Sequence, residues 1–131
     1  MRNSSETLIC YYQGAYGFTI RIDVRTKEWL EYFKENIILL RDGVIKEIEV
    51  TCLDNVEIDN LKSLTLVGVK RKKHSKVSIL KDCVIWSQDI EEIITLIGLI
   101  DGLLEGSGSG HQYLTNEGDN VLIVLGYKET R

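Results

Sequence analysis

The sequence predicts an α+β fold: a mostly antiparallel sheet of about six or seven strands with two helices packed on one face, in the order ββαβββαββ. Three observations lead there. Phe18, Ile20, Ile22 and Val24 alternate with Thr19, Arg21 and Asp23, the pattern of a strand with one dry and one wet face. Two stretches repeat apolar residues at helical spacing: Trp29, Phe33, Ile37 and Leu40, then Ile90 through Leu104. Short turn-like connections separate most of the apolar runs, and short connections join antiparallel neighbours.

The elements follow in order. Leu8-Ile9-Cys10-Tyr11-Tyr12 is β-branched and aromatic, and Gln13-Gly14-Ala15 turns it into the alternating run Phe18 to Val24. Thr26 is suited to cap a first helix, Glu28 complements its dipole, and Gly43 stops it. Ile48, Val50 and Cys52 alternate with Glu47, Glu49 and Thr51 as a third strand; Val56 and Ile58 alternate only weakly, as a loop or short strand. Leu64 to Val69 and Val77 to Leu80 read as strands around the basic turn Lys70 to Lys76. Ser87 is the expected N-cap of a second helix reaching Glu105, with Asp89, Glu91 and Glu92 in its first turn. That helix is apolar around most of its circumference, as a core helix is, or one that buries a second face against a partner. The run Gly106 to Gly110 connects it to a closing hairpin, His111 to Thr115 and Val121 to Tyr127.

At 131 residues, residues 1–131 are expected to form one domain with a substantial core. The net charge of −4 argues against a dedicated duplex-binding surface and is compatible with a basic protein partner. Cys10, Cys52 and Cys83 are widely spaced in apolar segments, so buried, reduced thiols are expected. The opening Met1 to Glu6 lacks a secretory apolar core, and Asp101 interrupts the most apolar run, Ile93 to Leu104. A cytoplasmic chain with no membrane span is the expectation.

Chemistry is sparse. His74 and His111 are the only histidines, and neither sits in a recognisable nucleophile–base pattern. There is no H-E-x-x-H, no acidic Ca²⁺ loop and no C-x-x-C, so neither a metal nor a cofactor is expected. The glycine run looks like a phosphate cradle but follows a helix, at its negative end, whereas phosphate loops precede one. The chain is therefore expected not to be an enzyme.

Ile85-Trp86-Ser87, the helix ending Leu99-Ile100-Asp101-Gly102-Leu103-Leu104, then Gly110-His111-Gln112-Tyr113-Leu114 and the strand Val121 to Tyr127 with Lys128-Glu129 resemble small bacterial immunity proteins. Those proteins accompany contact-dependent growth inhibition and related polymorphic toxin systems. The resemblance covers the chain from Ile85 onwards, and the opening ββα segment more loosely. It implies cytoplasmic neutralisation of one cognate toxin, often a nuclease, by tight binding. It transfers no functional residue. From the residues alone, partner-binding candidates are Tyr11, Tyr16, Arg21, Asp23, Glu47, Glu49 and Tyr113, which lie beside turns or on wet strand faces and include the types that anchor interfaces. Two alternatives stand beside this: a nucleic-acid-associated module using residues 70–76, and a homodimeric non-catalytic subunit joined through the apolar second helix.

Overall fold

The computed structural model describes residues 5–14, 17–70, 76–106, 110–114 and 121–128. The opening hairpin forms as expected from β1 (Thr7–Gly14) and β2 (Gly17–Val24), paired antiparallel from Thr7 opposite Val24 to Gly14 opposite Gly17. Helix α1 (Lys27–Arg41) follows, capped by Thr26, whose hydroxyl accepts from the Trp29 N–H at 3.1 Å. Just past its C-cap Asp42, Gly43 takes φ +77°, the left-handed conformation that ends helices. Then come β3 (Glu47–Glu49), a 3₁₀ turn (Val50–Cys52), β4 (Val56–Asp59), β5 (Ser63–Gly68), β6 (Lys76–Leu80) and β7 (Cys83–Gln88). Helix α2 (Ile90–Glu105), β8 (Gly110–Tyr113) and β9 (Val121–Tyr127) complete the order.

The α+β class and the two helices stand, but a single mostly antiparallel sheet does not. The strands form a five-stranded sheet, β4-β1-β2-β9-β8, and a four-stranded sheet, β3-β5-β7-β6. Both are mixed, because β1 with β4, β2 with β9 and β5 with β7 run parallel. The second strand of the opening hairpin, β2, thus lies beside the last strand, β9, and β7 inserts between β5 and β6, which the basic turn was expected to join as neighbours.

Smaller corrections have local causes. The strand expected from Ile48 to Cys52 ends at Glu49; the 3₁₀ turn then carries the chain from the four-stranded sheet to the edge of the five-stranded one. Ser87 does not cap α2, because it is paired in β7 opposite Lys76 and Val67. The cap is Asp89, whose carboxylate accepts from the Glu92 N–H while Glu92 accepts from the Asp89 N–H, each at 2.9 Å. Cys10 is buried as expected, but Cys52 and Cys83 are exposed.

One hydrophobic cluster joins everything. Ile9, Ile20, Ile22, Ile123 and Leu125 supply it from one face of the five-stranded sheet, and Leu64, Leu66, Val84 and Trp86 from one face of the other. Trp29, Phe33 and Ile37 of α1 and Ile93, Leu96 and Ile100 of α2 pack into the same cluster. Lys34 and Asp101 form an ion pair between the helices. No helix among the described residues is long and apolar enough to cross a membrane.

Candidate functional site

Alternation along a strand gives every core-facing residue a neighbour that points away. In the five-stranded sheet the register arranges those outward neighbours in rows. One row reads Glu57, Leu8, Asp23, Gly126, His111 across β4, β1, β2, β9 and β8. The next reads Asp59, Cys10, Arg21, Val124, Tyr113, and a third holds Tyr12, Thr19 and Leu122.

This outer face is drier than its polar residues suggested. Thr19 and Asp23 are buried, Val124 and Cys10 almost fully so, and Arg21 pairs with Asp23 at 3.6 Å with both side chains largely covered. The expectation of a wet face for Thr19, Arg21 and Asp23 is thereby corrected. Five adjacent strands leave a central side chain little solvent once large neighbours flank it, and Tyr12, Leu8 and Leu122 do so here. Phe18, assigned to the dry face, is 48% exposed at the end of its strand.

What remains accessible lies at the margins. Tyr113 is 56% exposed and meets the His111 ring edge-on at 5.4 Å. Tyr12 is 39% exposed at another corner. Glu57 and Asp59 on edge strand β4 are exposed and acidic, and Glu57 accepts from the Ser5 hydroxyl at 2.7 Å. The face therefore joins two tyrosines, a histidine and an arginine–aspartate pair to an acidic border.

The structure brings Arg21, Asp23 and Tyr113 together on this face. Tyr11 points to the opposite, inner face, half-buried and stacked on Phe18 with ring centroids 5.6 Å apart. Glu47 and Glu49 are exposed on the outer face of the four-stranded sheet, away from the others. Glu49 accepts from the Cys52 thiol, and that bond, with partial desolvation and the carboxylate charge, raises the thiol pKa. Tyr16 lies outside the described residues, as do residues 71–75 of the basic turn and 107–109 of the glycine run. Tyr12, His111, Glu57 and Asp59 are the additions. The signal for Tyr12 was present, since alternation puts Tyr11 and Tyr12 on opposite faces, but nothing local says which faces outward.

Among the described residues no group of three or more His, Cys, Asp or Glu side chains is placed to hold a metal ion. Compared with known proteins, the chain matches no family model, no curated protein and no solved structure.

Proposed function

We propose that this chain is an immunity protein that binds and neutralises one cognate toxin, a nuclease domain of a contact-dependent inhibition effector, in the bacterial cytoplasm, without catalysis of its own. The observation that carries this reading is the outer face of the five-stranded sheet. Tyr12 and Tyr113, exposed there, are of a residue type that anchors protein interfaces, and they are held on a hydrogen-bonded sheet that limits the ordering cost of binding. The acidic border at Glu57 and Asp59 suits a nuclease, whose substrate groove must be positive to hold phosphates. The test is to sequence the genes flanking this one and co-express the chain with a toxin domain found there. Growth should be restored, and a purified complex should form; unaltered killing sinks the proposal. A second reading, a homodimeric subunit, is favoured by Ile90 and Ile94, both exposed on α2. Sedimentation at increasing protein concentration decides it: a monomer throughout removes it.

A further inference from the structure

Away from the outer face of the five-stranded sheet, where α1 ends and α2 begins, lies a half-open cavity of about 500 Å³. We propose that this cavity binds a small apolar carboxylate, with its hydrocarbon part on the floor and its anionic group at the rim. The inference is independent of the toxin reading, because it uses a different surface.

The floor is apolar: Leu40 from α1, Ile45 from the loop after it, Val69 beyond β5, and Ile90 and Ile93 from α2 line it. Such a volume falls in the range of small-molecule sites, and such a lining suits a hydrocarbon body. The rim is cationic, formed by Arg41, Lys46 and Lys70. Arg41 is committed to Asp42 at 2.9 Å, and that carboxylate raises the guanidinium pKa further. Lys46 and Lys70 are exposed, and neither ammonium has an ion-pair partner among the described residues. Two cations without an ion-pair partner among the described residues, over an apolar floor in a chain of net charge −4, are a local reversal of sign. The negative end of α1 does not offset them, since the carbonyls of Ile38, Leu39 and Leu40 are taken by Asp42, Gly43, Val44 and Ile45 N–H groups. The positive end of α2, which begins at Ile90 in the cavity wall, is taken by the Asp89–Glu92 capping box, so the two lysines carry the attraction. Charge thus selects an anion and the floor selects hydrocarbon.

Decanoate titrated calorimetrically into the full chain is the probe, with decylamine and decanol as matched cationic and neutral controls. Decanoate should bind saturably at one site and the controls more weakly. The double variant Lys46→Glu/Lys70→Glu should weaken decanoate by about tenfold, since each exposed attraction is worth a fraction of a kcal/mol and is replaced by repulsion. Lys27→Glu/Lys62→Glu changes net charge equally on exposed residues elsewhere and should leave the affinity unchanged. Val69→Trp, which fills the cavity, should abolish binding while thermal unfolding confirms a folded chain. No binding by the unaltered chain, equal binding of decylamine, or equal weakening by both charge-reversed pairs overturns the proposal.

Discussion

Glu6 shows how much one side chain can organise. Its two carboxylate oxygens accept from the Thr26 hydroxyl at 2.7 Å and the Asn55 amide at 2.6 Å, so it ties β1 to the cap of α1 and to the turn before β4. Trp29 closes the same corner by donating from its indole N–H to the Asp54 carbonyl at 2.8 Å. Asn55 sits at φ +62°, where a Cβ is disfavoured but Asn is tolerated. Asn55→Ala therefore loses a hydrogen bond to a charged group and keeps the backbone penalty, and should destabilise by about 2 kcal/mol in urea unfolding. Asn55→Gly loses the same bond but relieves the backbone, and should cost visibly less; equal losses would show that φ is not the issue. A second expectation concerns Cys52. Glu49 raises the thiol pKa, so at a given mildly alkaline pH less thiolate is present than in an unpaired thiol, and alkylation, which needs thiolate, is slow. Glu49→Gln removes the charge, lowers the pKa and should speed iodoacetamide labelling of Cys52, with the rate profile displaced to lower pH; an unchanged profile refutes the coupling. Little of this was legible in sequence. The three cysteines look alike in their apolar runs, and only the 3₁₀ turn at Val50–Cys52 exposes the second.

Single elements were legible where periodicity was long, and less so at their ends. The α1 pattern of Trp29, Phe33, Ile37 and Leu40 maps onto its buried stripe, because a helix repeats its contact face often enough to override individual exceptions. The start of α2 was misplaced because Ser87 and Asp89 are both good N-caps, and choosing between them requires knowing that β7 extends to Gln88. The Asp89-x-x-Glu92 spacing of a reciprocal capping box was a usable clue. Asp89→Ala should thus destabilise the protein by about 1–2 kcal/mol, the usual cost of losing such a cap. Ser87→Ala should stay within about 0.5 kcal/mol, since its backbone pairing in β7 survives the change. Chemical denaturation of the two variants side by side distinguishes them, and the reverse order would place the helix start at Ser87. β7 has no counterpart among the expected strands, although Val84, Trp86 and Gln88 are buried on alternate residues along it.

At the scale of the molecule, what escaped the sequence was which strand lies beside which. Alternation in Phe18 to Val24 is the same whether the neighbour runs parallel or antiparallel, so β9 beside β2 leaves no local trace. That placement nevertheless makes the outer face, because β9 and β8 extend the sheet until Tyr113 shares a surface with Arg21 and Tyr12. Of the seven residues expected to contact a partner, Arg21, Asp23 and Tyr113 share the face, Tyr11 turns inward, Glu47 and Glu49 occupy the other sheet, and Tyr16 lies outside the described residues. Binding energy in interfaces concentrates in a few aromatic and arginine anchors, while border charges mainly accelerate encounter. Tyr12→Ala and Tyr113→Ala should therefore each weaken toxin binding, at least one by more than about 2 kcal/mol, chiefly through faster dissociation. Both side chains are exposed, so thermal stability should barely move. Glu57→Gln with Asp59→Asn should slow association and flatten its salt dependence while leaving dissociation nearly unchanged. Glu47→Ala should change neither rate. Surface-bound toxin and the purified variants give both rate constants directly. Loss of affinity in Glu47→Ala, with Tyr12→Ala and Tyr113→Ala behaving as the unaltered chain, would move the interface to the four-stranded sheet.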